Sequence, residues 1–163
     1  QRSAAAASGA SVITTMGTSM KRHAQRHPRT KLLAATLAVL VSTTAFAAAR
    51  DDLLAAYSAA AKSGDPHFAG FSAARGEAFH RQSFAGGKAD TPACTSCHAN
   101  DPRKSGQTPA GKAIDPVALS ASPGRYADPA KVEKWFKRNC NDVLGRQCTA
   151  QEKGDWLSFM ISQ

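Results

Sequence analysis

Two cysteines and a histidine stand close together in the middle of the chain, at a spacing that suits one cofactor. Cys94, Cys97 and His98 form the pattern C-x-x-C-H. Two intervening residues let both sulfur atoms reach the two vinyl groups of one porphyrin, and the imidazole that follows then lies beneath the iron. The pattern occurs once. The sequence therefore predicts one covalently attached haem c, with His98 as the proximal ligand.

Two other uses of a C-x-x-C pair fit the surrounding sequence less well. A thioredoxin-like redox pair needs a βαβ setting, and no strand pattern competes with the helical ones anywhere in the chain. A zinc site needs two more ligands at suitable spacing, but the remaining cysteines, Cys140 and Cys148, lie far downstream. In an exported protein these two cysteines should form a disulfide, whose short loop contributes about 2.5 kcal/mol by chain entropy.

The sixth ligand of the iron is less clearly marked. A simple electron-carrying cytochrome c usually has methionine or histidine there, and the candidates are Met160, His67 and His80. Met160 lies on the last helix, where an apolar residue more often packs against the helix that begins near Ser72. His67 and His80 precede the motif, in a segment that packs at the haem edge in small cytochromes, and His80 could equally be a core or solvated histidine.

Asn139 is a further candidate, because it lies in line with the apolar stripe of its helix. It follows Val132 by about 20° less than two full turns, and Trp135 and Phe136 lie between them on the same face. A buried amide needs a partner, and iron is one such partner. The alternative is that Asn139 caps the helix end or bonds to backbone in the following turn. The residues alone favour this alternative without deciding the question.

The first third of the chain has the order of a secretory signal peptide. A basic stretch that begins at Met20 precedes the apolar run 32–41, and small residues close it at Ala47. We expect 1–19 to be a disordered extension or the product of an upstream start codon. We expect 20–47 to be a signal peptide cleaved near Ala47, and 48–163 to be a mono-haem domain in the periplasm. An uncleaved anchor is the alternative, although the apolar run is short for a membrane span.

Cleavage at this site would change the charge of the protein. All 12 acidic residues lie after position 50, whereas six of the 21 lysines and arginines lie at or before Lys31. The mature part would carry 15 basic and 12 acidic side chains, a net of +3, so most of the formal charge of +9 belongs to the leader. The basic balance is thus no evidence for nucleic-acid binding, and we expect no nucleic-acid partner.

The elements that must position these residues are about four helices joined by long loops. The pattern predicts helices over about 51–64, with two acids in the first turn, and over about 72–84. Asp128-Pro129 and the capping box Thr149–Glu152 begin the last two helices. Residues 88–128 show no sustained period, and a loop of this length suits a chain that wraps a flat cofactor.

The stretch from Lys131 to Cys148 resembles the sphaeroides haem protein family. Its Asn139-Cys140 pair and second cysteine match in order with the haem motif, and 86–92 and 106–112 show the same likeness. The likeness covers nearly all of the chain from about Leu53. One departure is a histidine at position 80, where the family tends to have an aromatic residue after the helix glycine.

The resemblance implies a small all-α fold like that of class I cytochromes c, Asn139 as the sixth haem ligand and a Cys140–Cys148 disulfide. An amide oxygen suits ferric iron better than ferrous iron, so reduction should release Asn139 and open a place for O₂, NO or CO. The resemblance also implies membrane b-type and dihaem c-type cytochromes as redox partners. We expect a monomer that carries electrons and binds gas rather than an enzyme.

Two other functions stay open. One is plain electron transfer with Met160 as the sixth ligand, and the other is a small haem reductase of oxygen or nitrogen oxides. Peroxidase-like catalysis would need a distal histidine or arginine, for which Arg138 and Arg146 are near enough in the sequence. A basic group on the predicted third helix could steer an acidic redox partner or could simply be a solvated face. Its members are Lys131, Lys134, Lys137 and Arg138.

Overall fold

The computed structural model describes residues 29–163, with side chains from residue 46 onward. The predicted extension 1–19 and the start of the predicted signal peptide lie outside this part. The described elements are the helices α1 (Arg29–Gly64), α2 (Ala73–Arg81), α3 (Pro129–Leu144) and α4 (Ala150–Ser162), a 3₁₀ turn at Cys94–Ser96, and the strands β1 (Gly106–Gln107) and β2 (Ala113–Ile114). The four expected helices are therefore present.

Helix α1 is longer than predicted at its start. It begins at Arg29 instead of about residue 51, so Asp51 and Asp52 lie inside a continuous helix and not in its first turn. The prediction assumed a chain cleaved near Ala47, whereas the structure is that of the uncleaved chain. The end at Gly64 is as predicted. No helix in the described part is long and apolar enough to cross a membrane.

The C-terminal half of α1 belongs to the folded core. Leu53, Tyr57 and Ala61 are buried at intervals of four residues, which places them on one face of the helix. This face packs against α4 and α3. The Tyr57 hydroxyl donates a hydrogen bond to Glu133 on α3, and Lys153 Nζ on α4 lies 2.7 Å from the other Glu133 oxygen. Three helices therefore meet at one carboxylate.

Helices α2 and α4 cross at a glycine. A Cβ atom on Gly76 would lie 2.0 Å from the Asp155 carbonyl oxygen and 2.9 Å from Phe159 Cβ, so only glycine permits this approach. The Asp155 carboxylate also ties the two helices together, because it accepts hydrogen bonds from Ser72 N at 2.6 Å and Arg75 Nε at 2.8 Å. Ser72 is the N-cap of α2, so the helix begins close to the predicted residue 72.

Helix α2 ends at Arg81, earlier than the predicted residue 84. The backbone becomes extended at Gln82. Phe84 N then donates to the Pro92 carbonyl at 2.7 Å, a bond that an α-helix through Phe84 could not make. A long-range contact with the segment before the haem motif therefore decides where this helix stops.

Helix α3 begins and ends on well-formed caps. Asp128 accepts from Lys131 N and is followed by Pro129, as predicted, and Gly145 ends the helix at a φ of 71°. Five residues of α3 are buried: Val132, Phe136, Cys140, Val143 and Leu144. Trp135 was predicted on this apolar stripe but is 45 % exposed. The buried face is centred on Val132, Phe136 and Cys140, and Trp135 lies at its edge.

The long loop 88–128 is held by its own contacts. Val117 N and Ala118 N both donate to the Pro102 carbonyl, at 3.0 and 2.9 Å, and the buried Tyr126 hydroxyl donates to Val117 O. Strands β1 and β2 form a minimal antiparallel hairpin within this loop. The expectation that the chain contains no strand was therefore wrong for four residues.

Candidate haem site

A single 3₁₀ turn brings the two motif cysteines and the histidine together. Cys97 N and His98 N both donate to the Cys94 carbonyl, at 3.2 and 2.9 Å. The Ser96 hydroxyl accepts from Ala93 N at 3.1 Å and fixes the entry to the turn. Neither Cys94 nor Cys97 is joined to another cysteine, and both are half-buried, as is His98. The turn thus presents two thiols and an imidazole from five consecutive residues.

Burial sets the protonation of these three side chains. It raises the pKa of the Cys94 thiol to about 12. It also raises the pKa of Cys97, with a smaller contribution in the same direction from Asp142. Burial lowers the pKa of His98 to about 4, and the charge of Arg125 adds to this effect. At neutral pH the site therefore offers two thiols and a neutral imidazole, the form that can donate a lone pair to a metal.

Strand β1 lies directly against the backbone of the motif. Gln107 N donates to the Cys97 carbonyl at 2.9 Å. A Cβ atom on Gly106 would lie 2.0 Å from that same oxygen, so the close approach requires glycine. Sequence reasoning noticed these two residues only as part of a family likeness. It missed their structural role, because a contact between 97 and 106 leaves no periodic signal.

The second pair of cysteines lies at the end of α3. The Sγ atoms of Cys140 and Cys148 are 1.95 Å apart and their Cα atoms 5.5 Å apart, as in a disulfide. Asn139 immediately precedes Cys140 and is half-buried. The alternative that Asn139 caps the helix does not hold, because α3 continues to Leu144 and Gly145 is its cap. Asn139 therefore occupies an interior position of α3, beside the disulfide.

The loop that leads into the haem motif is fastened to this end of α3. Lys88 N and the Thr91 hydroxyl both donate to the Asp142 carbonyl, at 2.7 and 3.3 Å. Lys88 Nζ lies 2.8 Å from the Asp142 carboxylate. A Cβ atom on Gly87 would lie 2.3 Å from the Asp142 carbonyl oxygen. The loop before the haem motif is thus joined to the last turns of α3, close to Asn139, by contacts of the Asp142 main chain. Sequence reasoning did not identify these contacts.

The other candidate axial ligands are differently placed. Met160 has no exposed surface and is packed against protein atoms on all sides. His80 is also fully buried, and both of its ring nitrogens are engaged, with Trp156 Nε1 at 3.1 Å and the Ala99 carbonyl at 3.2 Å. His67 lies in the exposed turn after α1, where its backbone N donates to Asp65. Met160 and His80 are thus completely covered by protein and His67 is exposed, whereas Asn139 is half-buried.

The two arginines considered for peroxidase-like chemistry have other contacts. Arg146 forms two hydrogen bonds with the Glu152 carboxylate, at 2.8 and 2.6 Å, and this raises its pKa. Arg138 lies over the Trp135 ring, with its Cζ atom 5.6 Å from the ring centroid. Among the described residues, no group of three or more His, Cys, Asp or Glu side chains could hold a metal ion.

The donor set of the site fits a c-type haem. Two thiols available for thioether bonds stand on one turn with a neutral imidazole next to them, and the other two cysteines are already joined to each other. Cys94, Cys97 and His98 would hold the group, and a redox-active iron porphyrin is the chemistry that this set supports.

Comparison with known proteins identifies the family. A family model described as a domain of unknown function, DUF1924, matches residues 66–160. The cytochrome c-type protein SHP of Cereibacter sphaeroides is 50 % identical over 111 residues, which are 68 % of this chain and 81 % of SHP. The chain belongs to the sphaeroides haem protein family. Cytochrome c'' of Methylophilus methylotrophus is a further relative, 32 % identical over 136 residues, or 82 % of this chain and 94 % of that protein.

Solved structures confirm the all-α cytochrome fold. Oxidised SHP, described as an oxygen-binding cytochrome c, matches with a TM-score of 0.65 at 47 % identity and covers 70 % of this chain and 96 % of its own. Oxidised cytochrome c'' matches with a TM-score of 0.62 at 32 % identity, with coverage of 71 % and 95 %. As a member of this family the protein carries covalently attached haem c, as the C-x-x-C-H motif predicted.

Proposed function

We propose that this protein is an exported electron-carrying cytochrome c that binds a diatomic gas once Asn139 leaves the sixth position of the haem iron. Cys94 and Cys97 would form the thioethers and His98 the proximal bond. The observation that carries the proposal is the position of Asn139. Its amide lies in the interior of α3, half-buried beside the Cys140–Cys148 pair, where it has no capping role.

The competing ligands support this choice by their own surroundings. A side chain that contacts a cofactor needs one side that protein atoms leave uncovered. Met160 and His80 have no such side, because both are 0 % exposed, and the two His80 nitrogens already have partners. Plain electron transfer with Met160 as the sixth ligand is therefore the weaker candidate.

Two relatives support the gas-binding part of the proposal. SHP is described as an oxygen-binding cytochrome c. The solution structure of cytochrome c'' is described as giving insight into haem-ligand detachment; it is 31 % identical, has a TM-score of 0.61 and covers 70 % of this chain and 93 % of its own. One relative binds a gas, and the other releases a haem ligand. Loss of Asn139 on reduction would join these two properties in one site.

The chemistry of the donor explains why Asn139 would leave. When bound, the haem supplies an iron that alternates between the ferric and ferrous states and takes a diatomic gas at an open sixth position. An amide oxygen is a neutral, hard donor, which favours the ferric state. Asn139 would therefore bind the iron of the oxidised protein and leave it after reduction, while His98 would remain bound.

The contacts around Asn139 favour a movement of its side chain alone. Cys140 is joined to Cys148, and the Asp142 carbonyl accepts hydrogen bonds from the loop that leads to the motif. The backbone on the C-terminal side of Asn139 is thus attached to the segment that carries Cys94. The amide can rotate about its side-chain bonds without unwinding the helix, which keeps it close enough to return after oxidation.

The test compares two asparagines on the same helix. Asn139→Ala should leave the haem attached but change the ferric absorption spectrum, and the reduced protein should bind CO without competition. Asn141→Ala is the matched control, because Asn141 is exposed and lies two residues further along the helix. It should behave like the unchanged protein. Met160→Leu should leave the ferric spectrum unaltered.

Three results would refute the proposal. One is a reduced, gas-free protein with a sharp low-spin spectrum that takes up no CO. Another is a ferric spectrum that is unchanged by Asn139→Ala but lost on Met160→Leu. Sustained reduction of oxygen or nitrogen oxides with an added reductant would instead favour the haem reductase.

Export is part of the proposal. All residues of the family match lie after position 65, and among the side chains described from residue 46 onward the first buried core residue of α1 is Leu53. Removal of 20–47 would therefore leave the core intact. Mass spectrometry of protein from the periplasmic fraction should give an N-terminus near Ala48, whereas an N-terminus at or before Met20 in mature protein would contradict cleavage.

The partners that we propose are redox proteins, namely membrane b-type and dihaem c-type cytochromes. The basic group on α3 is exposed at all four positions, and Arg138 lies over the ring of the exposed Trp135. An acidic partner would bind there by long-range attraction, so electron-transfer rates should fall with added salt. Lys134→Glu with Lys137→Glu should slow the reaction with such a partner, and Lys62→Glu, which changes an exposed lysine on α1, is the control. Equal rates in both variants would exclude this surface.

A further inference from the structure

We infer that His80 is a positioning residue for His98, which it holds in place through the neighbouring Ala99 carbonyl. The inference rests on the part of the proposed function that makes His98 the axial ligand; it does not depend on Asn139. His80 lies on α2, near the crossing with α4, and is completely buried. Its ring contacts Trp156 and Phe159, with centroid distances of 6.3 and 5.8 Å.

The hydrogen bonds of His80 determine its tautomer. Trp156 Nε1 lies 3.1 Å from His80 Nδ1. An indole nitrogen can only donate, so Nδ1 must carry the lone pair. His80 Nε2 lies 3.2 Å from the Ala99 carbonyl oxygen, which can only accept, so Nε2 must carry the hydrogen. The ring is therefore neutral, and it links α4, α2 and the haem-motif segment in one chain of hydrogen bonds.

His98 lies between two carbonyls that are fixed from outside the motif. On one side, the Cys97 carbonyl accepts from Gln107 N at 2.9 Å. On the other side, the Ala99 carbonyl accepts from His80 Nε2. The Cys97–His98 peptide is thus held by β1, and the Ala99–Asn100 peptide, one residue beyond the peptide that follows His98, is held by α2. With the backbone anchored on both sides of His98, the imidazole has little freedom to change its orientation.

A phenylalanine ring at position 80 would fill the same space but could not form the hydrogen bond to the haem-motif segment. His80→Phe would leave the Ala99 carbonyl and the Trp156 N–H without their partners while it kept a ring between α2 and α4. Removal of a residue that orients a metal ligand typically changes the affinity or the activity of the metal site. We therefore expect His80 to affect the haem signal itself in addition to stability.

The test uses electron paramagnetic resonance of the ferric haem protein, because for a given sixth ligand the g values are sensitive to the orientation of the axial imidazole. His80→Phe should shift the g values and broaden the signal or split it into several species. His80→Gln keeps an N–H at the place of Nε2 and should restore a single narrow signal. Trp156→Phe removes the bond to Nδ1 but leaves Ala99 bonded, so it should lower the melting temperature and leave the g values unchanged.

The outcomes separate positioning from packing. If His80→Phe gives the unchanged g values with a lower melting temperature, His80 is a core residue only and the inference is wrong. It is equally wrong if His80→Gln and Trp156→Phe disturb the signal as much as His80→Phe. If His80→Phe fails to fold, His80→Asn, which can accept from Trp156 but cannot reach Ala99, replaces it. A wrong assignment of Asn139 would show separately, in the Asn139→Ala spectrum.

Discussion

Loss of the Cys140–Cys148 pair should weaken the folded protein by an amount that the loop length determines. The two cysteines are 8 residues apart in the sequence. In the chain-entropy treatment a loop of this size contributes about 2.5 kcal/mol. Both residues are buried, at 4 % and 7 % exposure, so alanine is the suitable replacement because it adds no polar group. For a domain of this size the double change should lower the melting temperature by about 10 °C.

The assay is thermal and guanidinium unfolding of the ferric haem protein, followed by circular dichroism and by haem absorbance. As the internal control, the unchanged protein and the double alanine variant are also compared with both in dithiothreitol, which opens the disulfide and can reduce the haem but leaves the thioether bonds at Cys94 and Cys97 intact. Under these matched conditions the two proteins should unfold at the same midpoint.

The same variant also tests the link between the disulfide and Asn139. A loss of stability below about 1 kcal/mol would show that the loop-closure reasoning does not apply to this site. A full loss of stability with an unaltered ferric spectrum would show that the bridge staples the chain without positioning Asn139. Only a combined change supports both roles.

Three further predictions concern the protein frame. Gly76→Ala should lower the free energy of unfolding in denaturant by about 1–3 kcal/mol, because its Cβ atom would clash with α4. Gly64→Ala is the control and should have a smaller effect, because nothing lies within 4 Å of a Cβ atom there. Equal effects of the two substitutions would contradict close packing at the helix crossing. Tyr57→Phe removes a hydrogen bond to the Glu133 carboxylate and should cost about 1–2 kcal/mol, and no loss would mean that this end of α1 lies outside the cooperative unit. Burial lowers the pKa of His80, although the Ala99 carbonyl opposes this, so the unfolded chain takes up a proton that the folded one does not as the pH falls below about 6.5. Stability should therefore fall between about pH 7 and 5, more steeply than in His80→Phe, and parallel curves would contradict this.

The sequence predicted the elements whose signals are local. Asp128-Pro129 and the Thr149–Glu152 capping box each act within one turn of the chain, and both helices begin where these signals placed them. The haem motif is equally local, since five consecutive residues carry its chemistry. Asn139 could be singled out because its polar amide interrupts an apolar period.

Features that depend on distant contacts could not be predicted in this way. Helix α2 stops early because Phe84 bonds to Pro92, and the β1–β2 hairpin lies where Gly106 meets the Cys97 carbonyl. The side of α3 that is buried was misjudged at Trp135 for a related reason. Helical spacing identifies a face only to within about one residue, and the neighbouring helices decide which edge of that face they cover.

His80 shows how a departure from a family pattern can carry information that the pattern itself lacks. In the sequence, His80 stands out only as a departure from the aromatic residue that the family tends to have at this position. In the structure it takes the place of an aromatic ring between α2 and α4 and also adds one donor and one acceptor, each with a half-buried partner. A buried histidine in the neutral form costs stability at low pH, so its presence needs a compensating gain. The bond to Ala99 is such a gain, because it ties the packing of two helices to the residue that follows the proximal ligand. A change in how α2 and α4 pack would then be felt at the iron.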